Sequence, residues 1–181
     1  MTTAPLPNDT NPRVWIGCLA CYNEGHLVGD WFDAITADKV TSRMVHGVHE
    51  RASFHDELWV FDHENLPLSG EFDPRTASLW GHLLDRVDDH CREPFAAWAL
   101  GGEFVADSDG LPCLDEFTDR YRGEWPDFVS YIEELVEGCG LLADLPDELR
   151  IYFDFDSYAR DCQFDYTVHN APAGGIYVFS C

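Results

Sequence analysis

The chain has 181 residues with 34 Asp and Glu against 11 Lys and Arg, a formal net charge of −23 and a pI near 4.3. So acidic a chain lacks the basic patch that a phosphate backbone requires, and it holds no run of about 18 apolar residues to span a membrane. A disordered acidic tail is excluded as well, because 45% of residues are hydrophobic and 14% aromatic, enough for a packed core.

The excess acid is spread over the fold. There are 8 acids against 4 bases in residues 1–60, 14 against 4 in 61–120 and 12 against 3 in 121–181, so the last two thirds carry most of it. Crowding that charge on one sphere would cost strong self-repulsion, which an elongated shape relieves. The length suits one domain or two to three small lobes. Seven cysteines, Cys18, Cys21, Cys91, Cys113, Cys139, Cys162 and Cys181, have no regular spacing and follow no apolar signal segment, which fits reduced thiols in a cytoplasm.

Residues 1–11 read as a flexible leader. Arg13–Tyr22 is β-branched and aromatic enough for a strand, with Asn23-Glu-Gly25 as its turn and Trp31-Phe32 as its continuation. Residues 37–45 are a helix candidate, 46–55 a loop, and Glu57–Asp62 a second strand returning to the first, so residues 12–66 form a small α+β lobe. In 67–112, Asp73 is placed as an N-cap ahead of Pro74, and Leu79, Leu83, Val87 and Cys91 recur at helical spacing. A helix is expected from Pro74 to Cys91 and a shorter one after Pro94, stopped by Gly101-Gly102, which makes this lobe mostly helical. Residues 113–181 form a second α+β lobe. Trp125-Pro126-Asp127 opens a helix with Phe128, Tyr131 or Ile132, Leu135 and Val136 as its buried stripe, and Asp127, Glu133, Glu134 and Glu137 off that stripe. Residues 156–161 suit one short helix, and Phe164–His169 with Gly175–Phe179 suit a hairpin.

Between them lies Gly140–Asp154, in which apolar residues and carboxylates alternate. Leu141, Leu142, Leu145, Leu149, Ile151, Tyr152 and Phe153 are expected to supply burial, while Asp144, Asp147, Glu148 and Asp154 stay charged beside Arg150. Pro146 breaks any continuous helix, leaving 150–153 as the start of an extended segment or the closing turn of a short helix.

Several patterns hint at other chemistry and fall short of it. Asp154 and Asp156 resemble a glycosidase pair, but acids two apart are common and their separation is not legible. Cys18-x-x-Cys21 has the first half of a zinc pattern with no second Cys-x-x-Cys or His-x-x-x-His, and on one strand the two side chains point to opposite faces. His46, His49, His55 and His63 read as loop residues. Asp107-Ser-Asp-Gly110 has its glycine too early for a calcium loop and no Glu at the required place. No phosphate loop or nucleophile elbow is present in the sequence. The expectation is no catalytic residue, no metal and no cofactor.

Taken in order, Pro12-Arg-Val-Trp-Ile-Gly17, Tyr22-Asn-Glu-Gly25 with Gly29-Asp-Trp31, Tyr121-Arg-Gly-Glu-Trp125, Leu141–Pro146 through Tyr152-Phe-Asp154, Tyr158-Ala-Arg-Asp161 and Gly175–Phe179 resemble the ArdA antirestriction family across nearly the whole chain. The combination is specific where each fragment alone is weak. Residues 141–154 resemble the family's antirestriction motif. The resemblance implies an elongated α+β protein of three small lobes in series that forms a homodimer, imitates the charge pattern of bent B-form DNA, and occupies the DNA-binding groove of type I restriction-modification enzymes. Residues expected on the DNA-like surface are Asp107, Asp109, Asp115, Glu116, Asp119 and Glu124, then Asp127, Glu133, Glu134 and Glu137, then Asp144, Asp147 and Glu148. Leu141, Leu142, Leu145, Leu149, Ile151, Tyr152, Phe153 and Asp154 are expected in the motif and dimer contact. The rival expectation is an acidic soluble protein of a high-salt cytoplasm, whose charge is solvent adaptation without DNA-like geometry.

Overall fold

Alternation of Val14 and Ile16 with Arg13 and Trp15 gives strand β1, Arg13–Cys18, one fully buried face. The computed structural model describes residues 10–47 and 55–181; residues 1–9 of the expected leader, and His49, lie outside the described residues. β1 is the central strand of an antiparallel sheet of order β2-β1-β3, flanked by β2, Gly29–Asp33, and β3, Leu58–Glu64. The strand expected to run on to Tyr22 ends at Cys18, because its pairing partners run out at Gly29 and Leu58. The chain turns there into a short helix, α1, Leu19–Asn23, with Cys18 as its N-cap.

The helix expected over 37–45 is also corrected. Asp33 accepts the Ile35 N–H at 2.8 Å and opens a 3-10 segment, Ala34–Lys39. Extended Val40 and Thr41 interrupt it, in keeping with their β-branching, before α2, Ser42–His46. Helix α3, Pro74–Asp85, begins as expected, with the Asp73 carboxylate accepting from the Thr76 N–H at 3.0 Å and its hydroxyl at 2.8 Å. It stops short of Cys91. Asp85, Asp88 and Asp89 would place acid at the negative end of the helix dipole, and extended Asp88 leads into a single 3-10 turn, Asp89–Cys91. α3 lies close on the 3-10 segment because residue 81 is glycine: a Cβ there would come within 2.7 Å of the Ile35 nitrogen. The Ser78 hydroxyl donates to the Ile35 carbonyl at 2.8 Å, fastening the same contact.

These elements, with Ser108–Leu111, form one of two structural units; Glu93–Asp107 and Pro112–Cys181 form the other. The second unit contains most of α4, Arg92–Gly101, which Gly102 at φ 71° terminates. It also contains α5, Leu114–Arg120, and β4, Tyr121–Trp125, neither expected from the sequence. Its sheet has the order β4-β6-β5, where β5 is Tyr166–Asn170 and β6 is Ile176–Ser180, the expected hairpin. Helices α6, Phe128–Gly138, α7, Asp147–Arg150, and α8, Phe155–Cys162, complete it. Phe95 and Trp98 are fully buried, and each ring meets Phe117, at 5.2 and 5.7 Å between centroids. A second core of Tyr131, Ile132, Val136, Ala159 and Val178 lies under α6 and α8. Arg120, largely buried, joins distant segments by donating to the Ser180 carbonyl at 2.8 Å, the Glu103 carbonyl at 2.7 Å and the Glu116 carboxylate at 3.2 Å.

Candidate functional site

Helix α6 separates its two kinds of residue as a 3.6 period requires. Tyr131, Ile132 and Val136 face the core, and Glu133, Glu134 and Glu137 stand exposed on the other side. Asp127 caps this helix. Its carboxylate accepts the Ser130 N–H at 2.8 Å and the Ser130 hydroxyl at 3.0 Å, bonds that hold it below the usual carboxylate range. It therefore remains charged while bonded.

Asp107, Asp109, Asp115, Asp119, Glu124, Asp144, Asp147 and Glu148 are exposed as well. Glu116 is the exception among the thirteen expected surface carboxylates. It is half-buried, paired with Arg120, and accepts the Val105 N–H at 3.3 Å, so its charge serves the fold. Asp109 belongs to the first unit, where it pairs with Arg75 at 2.8 Å, and Asp147 faces Arg150 at 3.6 Å.

The expectation that residues 141–153 supply burial is corrected within the single chain. Only Leu142 and Phe153 pack against the second unit's core; Leu141 and Leu149 are each 53% exposed, Ile151 77% and Tyr152 79%, with Leu145 also exposed. The reason is local. Gly140 at φ 64° ends the α6 run, Pro146 blocks a continuous helix, and successive turns leave room for only the four residues of α7. Arg150 holds the outcome in shape, since its guanidinium donates to the Leu145 carbonyl at 3.1 Å and the Ala143 carbonyl at 3.0 Å. Residues 150–153 close a helical turn and are not extended. Asp154 then caps α8, accepting the Ser157 hydroxyl at 2.7 Å and N–H at 3.0 Å, and these bonds lower its pKa. A carboxylate so engaged is a poor proton donor, which argues against a glycosidase pair with Asp156.

An unexpected cluster lies in the first unit. Because the chain turns helical after Cys18, Cys18 and Cys21 come to one side of the α1 start, and the Cys21 N–H donates to Cys18 Sγ at 3.4 Å. His46, at the end of α2, and His55, just ahead of β3, join them, with one donor atom from each of the four residues within 4.8 Å of the others. The expectation of two cysteines on opposite strand faces is therefore corrected. The strand reading of residues 18–22 and the distance in sequence of His46 and His55 from the cysteines together hid the cluster.

With the acidic faces and the exposed motif in place, comparison with known proteins is decisive on one point. The family model of ArdA, antirestriction protein, matches residues 14–177. The chain belongs to the ArdA antirestriction family. That membership supports an antirestriction function and covers both structural units, from Val14 in β1 to Tyr177 in β6. No curated protein matches the chain. No helix among the described residues is long and apolar enough to cross a membrane.

Proposed function

We propose that this ArdA-family protein is an antirestriction protein of the cytoplasm that imitates B-form DNA and blocks the DNA-binding groove of type I restriction-modification enzymes. The observation that carries the reading is the exposure of the acidic residues: of thirteen carboxylates expected on such a surface, all but Glu116 stand in solvent, on a chain of net charge −23. On α6, Glu133 and Glu137 rise by about 6 Å relative to one another, a spacing comparable with that of successive backbone phosphates. Duplex DNA carries one charge per about 1.7 Å, so a dimer of such chains matches the unneutralised charge of roughly 80 Å of duplex. Carboxylates in a basic groove displace the same counterions that phosphates do. The apolar residues 141, 145, 149, 151 and 152 suit a homodimer contact, because so much exposed hydrocarbon in one short segment is unfavourable in water.

The test is a titration of a type I restriction enzyme with this protein and with duplex DNA at matched salt. Affinity should fall as salt rises, with a shallower slope than the roughly 0.9 per neutralised phosphate of DNA, because separated carboxylates condense fewer counterions. The inhibitor should outcompete DNA increasingly as salt increases. Weak, non-stoichiometric inhibition would point to mere acidity of the high-salt kind, and a salt-independent affinity would refute groove mimicry.

A further inference from the structure

We propose that Cys18, Cys21, His46 and His55 form a structural zinc site in the first unit. The four residues supply two sulfur and two nitrogen donors, the set that zinc takes in closed tetrahedral sites, and one donor atom from each lies within 4.8 Å of all the others. Four protein donors, with Cys18, Cys21 and His46 buried and His55 half-buried, make a site of the closed, structural kind.

A second observation points to a ligand independently of the clustering. His46 is only 7% exposed, and its Nε2 is buried with no hydrogen-bond partner among the described residues. Left so, a buried polar nitrogen is unfavourable; a metal bond to Nε2 itself removes the difficulty. The sulfur side is ordered as well, since the Cys21 N–H donates to Cys18 Sγ at 3.4 Å and so fixes that side chain toward the start of α1. Cys21 Sγ and His55 Nδ1 are 3.1 Å apart, so an opening of about 0.4 Å brings them to the roughly 3.5 Å edge of a tetrahedron built on zinc–sulfur and zinc–nitrogen bonds of about 2.3 and 2.0 Å.

The protonic balance is simple. Zinc enters as a dication, both thiols lose their protons to solvent, and both imidazoles bind neutral, so the filled site has no net charge and can be buried without an unpaired ion. The chain's overall charge is then unchanged by loading, and the acidic surface is left as it was. What the metal does is mechanical. It ties the end of the central strand β1 and the start of α1 to the end of α2 and to the residue three ahead of β3, thereby joining the chain on both sides of residues 48–54.

The full-length protein purified from zinc-supplemented cells should hold one zinc per chain by elemental analysis. Stripping it with a chelator should lower its melting temperature by about 5–10 °C, the shift expected when a metal present at some hundredfold over its Kd is lost. Titration of the stripped wild-type protein with cobalt(II) should give the red d–d bands of a tetrahedral ion and a near-ultraviolet thiolate charge-transfer band, saturating at one equivalent. This measurement needs no variant and so survives any failure of Cys21→Ser or His55→Ala to fold. Cys21→Ser and His55→Ala should lose the metal, whereas Cys139→Ser, at an exposed cysteine of the other unit, should keep it. Wild-type stoichiometry retained in Cys21→Ser and His55→Ala, or a stripped protein that takes up cobalt without the charge-transfer band, would overturn the site.

Discussion

The exposed face of residues 141–152 gives the sharpest test of how chains associate. Replacing Leu145 and Ile151 by Asp leaves the core untouched, because these side chains are 39% and 77% exposed in the single chain. Fully burying such a side chain contributes about 1.5–3 kcal/mol. Scaled by these exposures, the pair loses about 2 kcal/mol per chain when its hydrocarbon is no longer buried at a contact. A two-fold interface uses each change twice, so the dimer weakens by about 4 kcal/mol, on the order of a thousandfold in Kd, before any repulsion between the new carboxylates. Sedimentation at micromolar concentration should then show a dimer for the wild type and a monomer for L145D/I151D, with unchanged circular dichroism. An unchanged dimer would refute this placement of the contact. Inhibition should survive in part, since each chain alone carries a net charge of −23.

Neutralising any one of Asp115, Asp119, Glu133 or Glu137 to its amide should alter inhibition by no more than about fivefold, because exposed charges contribute singly about 0–1 kcal/mol; loss of inhibition in a folded single variant would indicate a discrete site instead. Arg120→Ala should lower stability by about 2–3 kcal/mol, read in urea unfolding, because it strands the Ser180 and Glu103 carbonyls and the Glu116 carboxylate together. Asp73→Ala should cost about 1 kcal/mol at neutral pH through loss of the α3 cap. For Asp73, burial raises the carboxyl pKa, but the bonds from Thr76 outweigh it and leave the folded value below 3.8. A depressed folded pKa stabilises above the unfolded value and ceases to do so as pH falls through the folded one, so the gap between wild type and D73A should close below about pH 4. A gap that persisted at pH 2 would mean that the cap's ionised form is not what matters.

Local chemistry wrote a good part of this molecule into its sequence. The Asp73 cap with Pro74, the Gly102 stop, the apolar stripe of α6 and the β5–β6 hairpin depend on neighbours within a few residues, so spacing alone revealed them. Order and identity of motifs along the whole chain likewise pointed to the ArdA family, and the charge that any groove-blocking role needs is a matter of composition. What tertiary structure decided was where elements end and what they meet. β1 stops at Cys18 because its partner strands do, a fact carried by residues 29 and 58, and α5 and β4 exist because Phe117 and Tyr121 pack on Phe179, some sixty residues onward. Leu149, Ile151 and Tyr152 have the composition of a core and lie in solvent, since hydrophobicity states a preference for burial without naming the surface that provides it. Cys18 and Cys21 show the same limit from the other side. Their partners stand at His46 and His55, with no short spacing to announce them, and only the return of the chain to the end of the central strand brings all four donors to one place.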